Sequence, residues 1–339
     1  MTRSTFARQL VKPKILVARA IFPDVIERLA QYFDVERNDA DTVYSSDELR
    51  ARLADKAGAI TTASERIDAS VLAGAPHLRV VANMAVGYNN FDIEAMTAAG
   101  VMATNTPDVL NETTADFGWA LLMATARRVT ESERWLREGH WDKWAYDGFL
   151  GADVHGSTLG VVGMGRIGQA IARRAMGFNM RVVYHNRSRL DAATEAACQA
   201  SYVDKDTLLR TADHVILVLP YSNATHHTIG AAELAVMKST ATLVNLARGG
   251  IVDDAALAVA LANRQIAAAG LDVFEGEPKV HPDLLKVPNA VLTPHIASAS
   301  VATRRGMASL AADNLIAALG FGAAAGKPPC LLNPAARQS

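Results

Sequence analysis

Short apolar runs alternate with amphipathic stretches along most of the chain. Lys14–Ala18 reads as a buried strand, and Pro23–Tyr32 has helical spacing with Asp24 early in its first turn. Ser46–Ala54 follows as a helix capped by Ser45 or Ser46, then Ala59–Thr61 as a strand, Asp68–Ala73 as a helix and Arg79–Ala82 as a strand. Ile93–Ala99 and Val101–Ala103 continue the series. Apolar strands separated by helices imply a parallel sheet with crossover helices, hence an α/β fold. Asn111–Glu138 then predicts one long helical stretch. The alternation restarts with strands at Leu159–Gly163, Arg181–His185, His214–Leu219, Thr242–Leu246, Ala267–Leu271 and Ala290–Thr293, and a final helix over Ser298–Leu319 ends at Gly320. A long helix on each side of the second series predicts an insertion: residues 113–299 form one lobe, and 1–112 with 300–339 form the other. A cleft between two such lobes is the expected place for a substrate.

The second series opens on Leu-Gly-Val-Val-Gly-Met-Gly-Arg-Ile-Gly, residues 159–168. Gly163, Gly165 and Gly168 stand at the spacing of a dinucleotide-binding turn between strand and helix. Gly163 permits the tight turn, Gly165 lets backbone approach a pyrophosphate, and Gly168 lets the helix pack on the strand. With Arg166 and Ile167 the helix begins, and its unpaired N–H groups and dipole favour the anion. The inserted lobe is therefore expected to be a doubly wound, Rossmann-like nucleotide-binding sheet, and the lobe around it a flavodoxin-like substrate domain. An acid about twenty residues past the glycines would select NAD by bonding the ribose 2′-hydroxyl. Here the second strand ends in Asn186-Arg187-Ser188. Asn186 carries no charge to repel a 2′-phosphate, Arg187 can pair with one, and Ser188 can donate to it. NADPH is expected, with NADH as the weaker cofactor.

Composition narrows the partners. Among 339 residues, 34 basic side chains face 35 acidic ones, for a net charge of −1, so neither nucleic acid nor a disordered chain is indicated. Two cysteines, Cys198 and Cys330, lie far apart without metal-ligand spacing, which suits a reducing cytoplasm. No run approaches the roughly 18 apolar residues of a membrane span. Thr2, Arg3, Arg8 and Lys12 precede no apolar segment of secretory type, so a cytoplasmic location is expected. Aromatic residues concentrate at Trp135, Trp141, Trp144, Tyr146 and Phe149, as core or interface packing or as a contact with a partner subunit. His226, His227 and His281 have no accompanying cluster of acids or cysteines in sequence, and no metal is expected.

Three polar residues follow strands of the inserted lobe: Arg248 in Asn-Leu-Ala-Arg-Gly-Gly, Glu277 in Asp272-Val-Phe-Glu-Gly-Glu-Pro, and His295 in Thr-Pro-His-Ile-Ala-Ser. Ligands of open α/β sheets bind beyond the carboxyl ends of strands, so all three can face a cofactor. Singly, each also reads as an ordinary loop residue. Together with Val162-Gly-Met-Gly-Arg-Ile-Gly and with Asn83-Met-Ala-Val-Gly-Tyr-Asn-Asn in the first lobe, they resemble the D-isomer-specific 2-hydroxyacid dehydrogenases over about residues 14–320. Asp153-Val-His-Gly-Ser-Thr-Leu-Gly-Val-Val-Gly-Met-Gly and Gly177-Phe-Asn-Met bring the likeness nearer to the bacterial glyoxylate, hydroxypyruvate and 2-ketogluconate reductases. Ala297 departs from the glycine of most members, while Ser298 is retained.

The resemblance implies an oxidoreductase that reduces 2-keto acids to D-2-hydroxy acids. In that reading Arg248 engages the substrate carboxylate and polarises its carbonyl, and the N–H groups of Val86 and Gly87 hold the carboxylate as well. His295 passes the proton, Glu277 fixes its tautomer and favours its charged form, and Ser298 lines the substrate. Leu219, Pro220 and Leu246 join Gly163, Gly165, Arg166, Ile167, Gly168, Asn186, Arg187 and Ser188 on the cofactor, and Asp272 orients the nicotinamide carboxamide. The resemblance also implies a homodimer through the long helix and the aromatic segment. A 3-phosphoglycerate dehydrogenase-like enzyme and a non-catalytic NAD(P)-sensing protein of the same fold are the alternatives.

Overall fold

The structure, a computed structural model, describes residues 11–338; Thr2, Arg3 and Arg8 lie outside that range. The chain forms two compact units, one ending at Val109 and resuming at Val301, the other spanning Leu110–Ser300. Among the described residues, no helix is long and apolar enough to cross a membrane. Cys198 and Cys330 are both free thiols.

The first unit holds five parallel strands, β1 (Lys14–Val17), β2 (Asp34–Arg37), β3 (Gly58–Thr61), β4 (Val80–Asn83) and β5 (Met102–Thr104), in the order β2-β1-β3-β4-β5. That is the flavodoxin-type order, which reverses between β1 and β3. β2 is absent from the sequence expectation because Asp-Val-Glu-Arg has no apolar run, and as an edge strand it needs none. Ser45 caps the helix Ser46–Leu53 in a reciprocal pair: Glu48 N–H donates to Ser45 Oγ at 3.3 Å, and Ser45 N–H donates to Glu48 Oε2 at 2.9 Å. The last helix, Val301–Ala318, returns to this unit. Its Ala308, Ala311, Ala312 and Leu315 are buried against Ile15, Val17, Ile60, Val80 and Ala82 of the sheet. Small residues let the helix lie close; a Cβ on Gly58 would meet Leu315 Cδ1 at 2.8 Å.

The second unit has seven parallel strands: β6 (Thr158–Val162), β7 (Arg181–His185), β8 (Ala200–Tyr202), β9 (His214–Leu217), β10 (Thr242–Asn245), β11 (Ala268–Leu271) and β12 (Ala290–Leu292). Their order is β12-β11-β10-β9-β6-β7-β8, the Rossmann arrangement extended by one strand, with the order reversing at β6. β8, three residues at the sheet edge, is the other strand that the apolar pattern does not show.

The stretch expected as a single helix is two, Asn111–Ala126 and Val129–Arg137. Arg128 separates them in the left-handed region (φ 54°), its guanidinium held in a fork by both oxygens of Glu131 at 2.8 Å. Trp119 of the first helix stacks on Phe178 with centroids 4.6 Å apart, and its indole N–H donates to Ile171 O at 3.1 Å. Beyond the second helix, Trp141, Trp144 and Tyr146 are 61%, 75% and 87% exposed, so they form no core within this chain.

Candidate active site

The strand order of the second unit reverses at β6, which places the Gly163 turn where ligands enter such sheets. Gly163 has φ +100°, and a Cβ there would meet Leu219 N at 2.6 Å. A Cβ on Gly168 would stand 2.4 Å from Gly163 O, which is how closely the helix Arg166–Ala175 rides on its strand. Gly165 is different. It precedes the helix with no side-chain cap, and a Cβ would meet nothing within 4 Å. The helix therefore opens with bare backbone donors above an open cradle, and these residues fit a pyrophosphate.

At the end of β7, Asn186 does more than stay neutral. Its Oδ1 accepts from Met164 N–H at 2.7 Å, fastening the middle of the glycine turn. Arg187 and Ser188 are exposed, and Arg187 has no hydrogen-bond or ion-pair partner among the described residues. Arg189, two residues on, is already bound in a fork by Glu195 at 2.9 and 2.8 Å. Leu219 and Pro220 follow β9, and the buried Leu246 follows β10.

Glu277 and His295 meet. The carboxylate Oε2 lies 2.8 Å from His295 Nδ1, while Oε1 accepts from Phe274 N–H at 2.9 Å. Burial works to raise the Glu277 pKa, but the hydrogen bond and charge of His295, the Phe274 N–H and the charge of Arg248 together bring it below the usual value. An ionised Glu277 accepts only, so the proton between the two sits on Nδ1 and leaves Nε2 for chemistry.

Arg248 sits on a turn that Asn245 templates: Asn245 Oδ1 accepts from Ala247 N–H at 3.0 Å, and its amide donates to Arg248 O at 3.3 Å. The guanidinium is half-buried, and Nη1 donates to Ala247 O at 2.7 Å. Desolvation pulls its pKa down, and the Glu277 charge opposes this. The next residue joins two loops: a Cβ on Gly249 would lie 1.7 Å from Phe274 O. The loops carrying Arg248 and Glu277 thus touch backbone to backbone.

Asp272 is almost fully buried and has a local task that the sequence does not reveal. Its Oδ1 accepts from Thr293 Oγ1 and Ile296 N–H, both at 2.8 Å, and its Oδ2 from Ala297 N–H at 2.8 Å. These donors flank His295, whose own backbone is in the left-handed region (φ 54°). Burial raises the Asp272 pKa against the three donors and the His295 charge. Ala297, the departure from glycine, puts its methyl in the apolar core of this unit, and Ser298 is half-buried beyond it. In the first unit, Val86 and Gly87 lie on the loop after β4, their carbonyls tied back by Asn105 Nδ2 at 2.8 Å and Asn83 Nδ2 at 3.2 Å.

A turn built for a dinucleotide, with an imidazole–carboxylate pair beyond the same strand ends, is what an NAD(P)-dependent oxidoreductase of CH–OH groups needs. Comparisons with known proteins agree. Residues 119–297 match the family model of the D-isomer specific 2-hydroxyacid dehydrogenase, NAD binding domain. A glyoxylate reductase of Thermococcus onnurineus is 49% identical over 311 residues, covering 91% of this chain and 93% of that protein. That of Pyrococcus horikoshii is 48% identical over 312 residues, with the same coverage. Among solved structures, an NADPH-dependent glyoxylate/hydroxypyruvate reductase from Sinorhizobium meliloti, in complex with NADP and malonate, matches with a TM-score of 0.82 at 37% identity, over 94% of this chain and 98% of that one. This chain belongs to the D-isomer specific 2-hydroxyacid dehydrogenases, and its cofactor is a nicotinamide dinucleotide.

Proposed function

We propose that the protein reduces small 2-keto acids, glyoxylate and hydroxypyruvate first and 2-ketogluconate in the same class, to D-2-hydroxy acids with NADPH. The observation that carries this reading is the His295–Glu277 contact at 2.8 Å, anchored through the other carboxylate oxygen, in the same unit as a half-buried Arg248. Arg248 offers a planar fork to the substrate carboxylate and pulls density from the adjacent carbonyl. The N–H groups of Val86 and Gly87 are further carboxylate donors, and Ser298 lines the substrate. The cofactor, when bound, supplies the hydride that attacks the carbonyl carbon. His295 gives its Nε2 proton to the carbonyl oxygen, so keto acid, NADPH and one proton become hydroxy acid and NADP. Glu277 holds the imidazole in the tautomer that does this and stabilises its charged form. Asp272 keeps the loop of His295 in register and would orient the nicotinamide carboxamide.

Arg187 supports the preference for NADPH, because it is exposed and unpaired where Arg189 is already occupied. The test is a panel of 2-keto acids against NADPH and NADH with wild type and Arg187→Ala. The variant is expected to raise KM for NADPH at least about tenfold, the loss of one charge-assisted contact, with little change for NADH. An unchanged ratio refutes the phosphate role, and no turnover with any keto acid refutes the reductase. We also infer a homodimer that covers Trp141, Trp144 and Tyr146, since monomers rarely leave such a patch bare. Light scattering of the purified protein checks this, and a monomeric mass refutes it.

A further inference from the structure

Sequence alone gives His226 and His227 no carboxylate neighbour, but folding supplies one. We propose that His226, His227 and Glu275 form a binding site for a divalent transition metal such as zinc, separate from the His295–Glu277 pair. One ligand atom from each lies within 4.8 Å of the others. His227 Nε2 and Glu275 Oε2 are 3.1 Å apart, close to the roughly 3.3 Å between neighbouring ligands of a tetrahedral zinc with bonds of about 2.0–2.1 Å. His226 completes the set by a small side-chain rotation, which its exposure permits.

The surroundings point the same way. Metal-bound histidines are oriented by polar groups at the other ring nitrogen; His226 has a hydrogen-bond partner there and His227 a nearby carboxylate. Tyr221 Oη stands 3.2 Å from His226 Nδ1, and Asp253 Oδ2 stands 3.9 Å from His227 Nδ1. The two rings are held side by side, centroids 3.8 Å apart, and His227 is fixed through its N–H to Gly250 O at 2.7 Å. Asp254, which accepts from Glu275 N–H at 3.0 Å, adds a further carboxylate to favour a cation. Two histidines and one glutamate leave a fourth position open to water. The ion would link the loop of His226 and His227 to the segment Phe274–Glu277, which carries Glu277 and packs on Gly249 beside Arg248. Metal occupancy therefore bears on the stiffness of both loops.

Titration calorimetry of tag-free, chelator-treated protein with Zn2+, and the visible spectrum of the Co2+ form, read the site directly. One-to-one Zn2+ binding, a tetrahedral Co2+ spectrum and a rise in Tm with added Zn2+ are expected. His227→Ala and Glu275→Gln should each weaken binding at least about tenfold, while His295→Gln should leave it intact. Should His227→Ala fail to fold, His226→Ala, at an exposed position, decides alone. Absence of saturable binding up to about 1 mM, well above the range of structural zinc sites, overturns the assignment. Binding that is indifferent to these substitutions overturns it equally.

Discussion

Replacing Glu277 by glutamine keeps the size and the hydrogen-bonding shape of the side chain but removes its charge. In the native site the carboxylate accepts from Phe274 N–H and from His295 Nδ1, and an amide oxygen can keep only one of those bonds. A hydrogen bond to a charged group contributes about 1.5–3 kcal/mol. The side chains of His295 and Glu277 are 37% and 34% exposed, so solvent screening puts the figure at the lower end, about 1.5 kcal/mol. That is about a tenfold loss in the rate of reduction. The loss should fall on kcat, with KM for the cofactor unchanged, because the glutamate acts through the histidine. Steady-state kinetics from pH 5 to 9, with Tm measured on the same samples, separate this from simple unfolding. A variant with wild-type kcat would falsify the relay.

Asp272→Asn turns an amide toward backbone donors of the His295 loop and leaves one unsatisfied, at a cost of about 1–3 kcal/mol; lower Tm and lower kcat are expected together, and a variant with both unchanged refutes the loop-holding role. Asp254 has its pKa raised to about 6, first by burial and then by the charges of Glu275 and Asp253. The folded state then holds a proton that the unfolded state, with an ordinary value near 3.9, has released. Stability from this residue accordingly falls as pH rises from about 4 to 6, and Asp254→Asn should add at most about 3 kcal/mol of stability at pH 8, seen as a higher Tm, but none at pH 4. Thermal melts at both pH values check it, and equal shifts at the two would refute the assignment.

What the sequence disclosed and what it hid follow from range. The Gly163 turn is legible because one short segment holds its strand, its turn and its helix. Buried strands such as Val80–Asn83 are legible because their burial on both faces demands an apolar run. Asp34–Arg37 and Ala200–Tyr202 sit at sheet edges, where that demand lapses. The break at Arg128 is invisible to periodicity, since the helical spacing runs on through it; only a left-handed backbone and the Glu131 fork make it. Arg248, Glu277 and His295 were recognisable by their motifs, but their contacts depend on loops that three separate strands bring together. Asp272 shows the same gap: its position in a motif suggests a ligand contact, and only the fold reveals three donors converging on it.

The contact of Gly249 with the Phe274 carbonyl carries a lesson for engineering. Because two main chains meet with no side chain between them, the spacing of the arginine loop and the glutamate loop is not adjustable by repacking. Libraries aimed at a new keto acid should hold residues 248–250 and 274–277 constant and vary positions elsewhere around the substrate. Recombination with distant homologues should exchange these two segments as one block, since a chimera that draws them from different parents inherits a mismatch at this backbone contact.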